Sequence, residues 1–185
     1  MPAPTPAEQR IFAGTHSDFF MKFGDIKGES LDNKHKGEIN VLAWSFGAVQ
    51  PGASAISGQG AGVGKVQFRD FHITKYVDSA SPKLMLACAS GQHFPEITFT
   101  ARRAGGTQAE YLKIKMTNVV ISSYETSSHT DGGGAADTQL KYQLPVDSVT
   151  INYAKIDVNY KAQNPDGTEG ANTQAGWDLQ ANQKS

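Results

Sequence analysis

The sequence predicts a mainly β protein, a barrel-like pair of β-sheets with one short α-helix packed alongside. Three observations support this: apolar and polar residues alternate over many segments, the longest alternating run reverses its phase, and one short stretch has helix signals at both ends. The length of 185 residues is about that of one ordinary domain. We predict a single domain over residues 16–185, preceded by a flexible arm over 1–15 that is rich in proline.

Alternation with a period of two predicts the strands in chain order. Ile39, Val41 and Ala43 occupy one phase, and Leu42, Trp44 and Phe46 fill the other, which is typical of a strand covered on both faces. Similar alternation marks the later strands, which are Val66 and Phe68, Phe71 and Ile73, Ile97 to Ala101, Leu112 to Met116, and Leu140 to Val146. Pro145 favours an edge or a break in the last of these.

The longest alternating run extends from Asp147 to Lys161 and changes phase in its middle. From Val149 to Tyr153 the apolar residues stand at odd-numbered positions. From Ala154 and Ile156 onward they stand at even-numbered positions. A change of parity without a turn signal predicts either a β-bulge or a strand that passes from one sheet to another.

The stretch from Ser81 to Gly91 predicts the helix. Ser81 is suited to the capping position and Pro82 to the first helical position, while Gly91 favours the left-handed conformation that ends a helix. Leu84 and Cys88 are four residues apart and therefore share one face. A helix this short has to pack against the sheets to be stable.

Two segments interrupt the strand pattern. Residues 47–64 contain six glycines and no charge, whereas Thr126 to Gln139 is polar with three consecutive glycines, and its role is not predicted. Irregular loops of this length are uncommon unless they bind something or are disordered. For 47–64 two interpretations remain open, a plain surface loop or a loop that orders against another copy of the chain, and its apolar residues favour the second.

Composition excludes several classes of protein. The formal net charge of −1 gives no overall field to attract nucleic acid, and no apolar run is long enough to span a membrane. The single cysteine, Cys88, excludes an intrachain disulfide and suits a reducing cytoplasm. The first residues lack the basic patch and apolar core of a secretory signal peptide, so we expect none.

Searches for catalytic and cofactor motifs are negative. The glycines at 58–64 before Lys65 do not have the spacing of a phosphate-binding loop, and the five histidines lack zinc-site spacing. Ser30 lacks the second glycine of a nucleophile elbow. We therefore predict no catalytic residue, no cofactor and no metal ligand, and expect that the protein is not an enzyme.

Several motifs in order resemble one family. They extend over roughly His16 to Asn182 and read DIKGES, VLAWSFG, TKYVD, the helix with its closing glycine, ARRAG, EYL and GWDL. This set resembles the haemolysin-coregulated protein (Hcp) family of bacterial type VI secretion. The resemblance implies a homo-hexameric ring of β-barrel subunits that stacks into a secreted tube.

The resemblance also implies partners and positions. Family tubes lie within a contractile sheath beneath a spike-tip protein and carry small effector proteins in the lumen. They are made in the bacterial cytoplasm and exported without a cleaved signal peptide, which places them outside the cell. Ser30 falls where the family has a lumen-facing residue, and the 47–64 loop, with Val49, Ala53, Ile56 and Val63, corresponds to a loop implicated in ring stacking.

One alternative of a different class remains, a free-standing β-sandwich that binds a ligand as a monomer. It predicts exposed aromatic residues gathered in a shallow pocket, whereas a ring subunit predicts apolar surface that other copies cover.

Overall fold

The computed structural model describes residues 17–51, 65–103, 109–128, 144–164 and 168–185. The predicted N-terminal arm over 1–15 lies outside these ranges. The described strands are β1 (Ser17–Phe23), β2 (Ile39–Val41), β3 (Ala43–Ser45), β4 (Ala48–Val49), β5 (Gln67–Phe68), β6 (Phe71–Tyr76), β7 (His93–Arg103), β8 (Glu110–Ser127), β9 (Val146–Gln163), β10 (Glu169–Asp178) and β11 (Gln183–Lys184), and helix α1 is Ser81–Ser90. No helix in the described ranges is long and apolar enough to cross a membrane.

Two antiparallel sheets are formed. The large sheet has the order β11-β10-β9-β8-β7-β1-β2, with β6 on β9 and β3 on β6, while β4 and β5 form a separate pair. The described ladders do not close into a barrel. Strand β2 pairs with β1 and strand β3 pairs with β6, but β2 and β3 are separate strands that only the chain at Leu42 connects. The predicted mainly β fold with two sheets and one short helix is confirmed, and the predicted barrel stays open.

Strand β9 organises the sheet by changing neighbours. One edge pairs with β8 along its length, whereas the other edge pairs first with β6, up to Ile151, and then with β10, from Lys155 onward. The buried parity changes in the same place, from Tyr153 to Ile156, as the sequence predicts. The adjacent strand β8 contains Asn118 with a φ of 52° there, and a register irregularity follows at Ile121/Ser123.

Helix α1 ends as predicted but begins differently. Gly91 has a φ of 62°, and its N–H donates to a carbonyl of the last turn. The N-cap position is Ala80, without a side-chain cap, so the predicted capping role of Ser81 is wrong. The Ser81 hydroxyl is buried instead and accepts the Asp78 N–H at 3.0 Å. Its second interaction, with Asp147, directs it into the core.

An aromatic cluster fills the core between the two halves of the sheet. The Trp44 ring on β3 lies 4.8 Å from Phe99 on β7 and 5.9 Å from Phe71 on β6, measured between centroids. Aromatic contacts of this kind contribute about 0.5–1.5 kcal/mol beyond burial alone. The cluster therefore holds β3 and β6 over β7, although the ladders leave the sheet open.

A buried ion pair joins β6, β9 and α1. Lys75 and Asp147 are directly opposite in the β6–β9 register and both have 0% exposure. The Lys75 Nζ donates to Asp147 Oδ2 at 3.0 Å and also lies 2.8 Å from Asp78 Oδ1. Hydroxyls of Tyr124 and Thr126 donate to the other Asp147 oxygen at 2.8 Å. Both charges are thus compensated by groups of the protein itself.

These donors decide the ionisation of Asp147. Burial raises the pKa of this carboxyl, but hydrogen bonds from Ser81, Thr126, Lys75 and Tyr124 outweigh burial and hold the pKa below its usual range. The contribution to folding is therefore complete above the ordinary carboxyl pKa and is lost as the pH falls through it toward the lowered value.

We expect Asp147→Asn to lower the free energy of unfolding by about 1.5–3 kcal/mol, since it removes one of the two carboxylates that face the buried Lys75 ammonium and leaves Asp78 as the other. Urea denaturation at neutral pH measures the loss. The matched control is Asp157→Asn, because its pairing with Lys155 at 3.5 Å is partly exposed and should be worth under about 1 kcal/mol. Equal losses in the two variants would contradict the assignment. The difference between wild type and Asp147→Asn should also shrink in acid.

Candidate functional site

The strands β1, β7, β8, β9 and β10 present two unlike faces. A row across all five strands on the inner face is apolar: Met21, Phe99, Ile114, Val158 and Ala175. The adjacent row on the outer face is polar: Lys22, Thr98, Lys115, Asp157 and Gly176. Charges of both signs pair on this outer face, for example Lys115 with Glu96 at 2.6 Å. A broad sheet face of this composition is suited to contact with water.

The loop over 24–38, between β1 and β2, folds tightly on itself. The Gly28 N–H donates to the Gly37 carbonyl at 3.0 Å, and the Gly37 N–H donates to the Ser30 carbonyl at 2.8 Å. A Cβ on Gly28 would lie 2.6 Å from the Glu38 carbonyl oxygen, so this close approach requires glycine. The backbone of the loop is consequently fixed by its own hydrogen bonds.

Arg102 on β7 ties the loop to the sheet. Its guanidinium is buried, donates to Asp32 on the loop and to Asp18 on β1, and lies 5.0 Å from the centre of the Phe20 ring. Burial raises the pKa of the Asp32 carboxyl, but hydrogen bonds from Arg102 and from the backbone N–H groups of Lys34 and His35 outweigh it and lower that pKa. The loop is therefore held by a charged contact between residues 70 positions apart.

Ser30 lies within this loop, and its side chain is only 3% exposed. Its hydroxyl oxygen accepts the Asp32 N–H at 3.3 Å, and a cavity of about 470 Å³ adjoins it, lined also by Leu31, Asp32 and Arg102. The neighbouring Leu31 is 91% exposed. Lumen exposure of Ser30 stays a prediction, and Leu31 is the exposed large apolar side chain of this loop.

The predicted stacking loop is described in part. Its beginning forms β4, in which Val49 is exposed and pairs with Gln67 on β5. Ala53, Ile56 and Val63 lie outside the described residues, as does most of the Thr126–Gln139 segment. Val49 therefore lies exposed on a small separate sheet. Its contact with other copies of the chain stays a prediction.

Among the described residues, one edge of the large sheet is open. Strand β10 pairs with β9, but its other edge pairs with β11 only at Trp177 and Asp178, and residues 170–176 carry no charge. An apolar groove of about 240 Å³ adjoins this edge, lined by Phe46, Phe68, Ile156, Val158, Ala175, Gly176 and Trp177. The Trp177 indole N–H is buried and has no acceptor among the described residues. Uncharged open edges of this length are rare on free proteins, since they pair with other chains.

Most of this surface has no signal in the sequence. Asp32 reads in sequence as a solvated carboxylate, and no local pattern connects it to Arg102. The uncharged stretch over 170–176 is a signal that was available, because edge strands usually carry charges. In the described ranges no group of three histidine, cysteine, aspartate or glutamate side chains is placed to hold a metal ion.

We expect Gly28→Ala to destabilise the 24–38 loop, because the added methyl group meets backbone atoms that cannot move aside. A loss of about 1–3 kcal/mol is typical of overpacking. Gly47→Ala is the matched control, since its nearest neighbour is a flexible Arg69 carbon at 3.8 Å. Thermal unfolding of both variants measures the difference, and a neutral Gly28→Ala would contradict the close approach.

Comparisons with known proteins agree with one another. Residues 20–160 match the family described as type VI secretion system effector, Hcp. The chain is 42% identical over 167 residues to the protein hcp1 of Pseudomonas aeruginosa, covering 89% of this chain and 96% of that protein.

Solved structures show the same likeness. A type six secretion system protein aligns with a TM-score of 0.81 at 30% identity, covering 92% of this chain and 100% of that one. Hcp1 of Salmonella typhimurium aligns with a TM-score of 0.71 at 32% identity, covering 91% of this chain and 99% of that one. By the match of residues 20–160 and these relatives, the chain belongs to the Hcp family of type VI secretion proteins.

Proposed function

We propose that this chain is the structural subunit of a type VI secretion inner tube. Six copies form a ring, rings stack within a contractile sheath beneath a spike-tip protein, and small effector proteins travel in the lumen. The tube is made in the cytoplasm and leaves the cell by type VI secretion without a cleaved signal peptide. Family membership supports the system, and the open β10 edge beside an apolar groove is the observation that carries self-assembly.

The two faces of the sheet suit a hollow assembly. A ring needs one surface that joins copies and another that tolerates water. The uncharged edge of β10 serves the first role, and the polar outer face with Lys22 and Lys115 serves the second. The net charge of −1 offers little repulsion between copies.

Size is consistent with a lumen for proteins. A domain of this length has a radius of gyration of ~16 Å and thus a diameter of roughly 40 Å. Six touching bodies of that size enclose a hole of roughly the same width. Such a hole admits a small folded protein. The role is mechanical and needs no catalytic residue.

The open edge of β10 provides a test of ring formation. The Gly176 carbonyl accepts a hydrogen bond from the Ser185 N–H on the side of β10 away from β9. Backbone groups of every second residue point to the same edge of a strand, so the Gln174 N–H points to the open edge. We expect Gln174→Pro to abolish rings while the subunit stays folded, since proline removes an edge donor without touching the β9 ladder. Electron microscopy and sedimentation measure assembly, and circular dichroism measures folding.

Gln174→Ala is the matched control, because it keeps the backbone N–H and should form rings. Rings of Gln174→Pro at wild-type abundance would show that copies join elsewhere. A wild-type protein that stays monomeric at high concentration would contradict the tube and favour the ligand-binding module.

Leu31 provides a test of cargo carriage. Because its side chain is almost fully exposed, Leu31→Glu should leave the subunit stable and the ring intact. We expect at least a tenfold loss of co-purifying effector proteins. The reason is that the variant loses the apolar contact that Leu31 makes with the cargo and places an unpaired charge there. Mass spectrometry of purified rings measures the cargo. Leu86→Glu, on the exposed side of α1, is the matched control, and equal cargo in both variants would contradict a role for the loop.

A further inference from the structure

His35 is a buried titratable group that the proposed tube does not use. It lies in the 24–38 loop, is 5% exposed, and stacks on Phe20 of β1 with ring centroids 4.2 Å apart and planes 8° from parallel. A surface histidine would be free to turn, whereas this ring is fixed between the loop and the sheet. Its two nitrogens therefore have defined surroundings.

Each nitrogen of His35 faces a carboxylate. Nδ1 lies 2.9 Å from Glu38 Oε2, and Nε2 lies 3.6 Å from Glu110 Oε1 without a hydrogen-bond partner among the described residues. An ionised carboxylate only accepts, so Nδ1 carries the proton of the neutral ring. Nε2 then directs a lone pair toward the Glu110 carboxylate, which is repulsive. A second proton, placed on Nε2, turns this repulsion into attraction, and a shortening of the 3.6 Å separation by under about 1 Å then gives a charge-assisted hydrogen bond.

Glu110 is prepared to accept that bond. Its Oε2 already pairs with Lys113 at 3.1 Å, which leaves Oε1 facing His35. Burial raises the pKa of the Glu110 carboxyl, but the hydrogen bond and charge of Lys113, with the charges of His35 and Lys34, outweigh burial and lower that pKa. Glu110 is therefore ionised across the range in which histidines titrate.

We propose that His35 is a proton-operated clamp, which joins the 24–38 loop to Glu110 at the start of β8 when Nε2 takes up a proton. The two states differ in one contact between loop and sheet, so protonation tightens the loop and deprotonation loosens it. The charged groups around the ring come from its own loop, from β1, from β7 and from β8: Asp32, Lys34, Lys36, Glu38, Lys22, Glu96, Arg102, Glu110, Lys113 and Lys115.

The clamp acts on the segment that carries Ser30 and Leu31. Its consequence for cargo, firmer holding in acid than in alkali, rests on the proposed function. The clamp itself concerns one chain and is present or absent whether or not copies form a ring. Failure of the ring and failure of the clamp are therefore separate results.

Hydrogen exchange on the full-length protein tests the clamp. We expect the 24–38 amides, corrected for intrinsic rates, to exchange about tenfold more slowly at about pH 6 than at about pH 8 in the wild type, as one hydrogen bond to a charged group provides. Amides of α1 should show no such step. Mass spectrometry of peptides from both segments gives the ratio.

Two variants separate the proton from the packing. His35→Phe keeps a ring on Phe20 but cannot be protonated, so its loop should exchange quickly at both pH values. Glu110→Gln supplies an amide N–H that donates to the neutral Nε2, so its loop should be protected at both. A wild-type protein without the pH step, or a step that persists in His35→Phe, would overturn the clamp. If His35→Phe unfolds, a persistent step in Glu110→Gln overturns it instead.

Discussion

The position of β9 depends on the buried pair of Lys75 and Asp147. Their strands are antiparallel neighbours for only six residues, after which β9 leaves β6 and continues beside β10. A slip of one residue would turn the buried apolar side chains outward, but a slip of two residues keeps them on the inner face, so alternation alone does not choose between such registers. A buried lysine that finds its carboxylate, with Ser81 from α1 and two hydroxyls completing the shell, fits one register only. The pair thereby fixes the helix and both halves of the sheet together.

An ion pair between residues far apart in the sequence also holds the 24–38 loop. Gly28 lets the loop close on itself, but its own hydrogen bonds do not attach it to the sheet. Arg102 supplies the attachment through Asp32 and Asp18, and one edge of its guanidinium, Nε, stays buried without a partner among the described residues. Leu31 is left exposed because its neighbours on both sides are committed to the interior. A loop that is tied down in this way and exposes one large apolar side chain is suited to contact with another protein.

Sequence patterns predicted the local features and missed the contacts between distant residues. Alternation identified most strands and the change of parity after Tyr153, because the period of two is a property of the strand itself. The helix end at Gly91 followed from backbone conformation. Ser81 was misassigned because its hydroxyl has a better partner in Asp147, which is 66 residues away. The family resemblance predicts that Ser30 faces the lumen, whereas in the folded chain Ser30 is buried and the neighbouring Leu31 is exposed, which no local pattern indicates.

The two halves of β9 differ in how completely the subunit itself covers them. Up to Ile156 its inward side chains are buried by β3, β6, β7 and α1, so the subunit has a complete core. Beyond that point Val158 is only half-buried and Tyr160 is exposed, while the facing β10 residues 171–175 are exposed on both faces. On its other edge this part of β9 pairs with β8 as far as Tyr160, so the strand that is left open among the described residues is β10. The subunit therefore has a buried core that does not depend on the open edge of β10, and under the proposed function a neighbouring copy would pair with that edge of an already folded subunit.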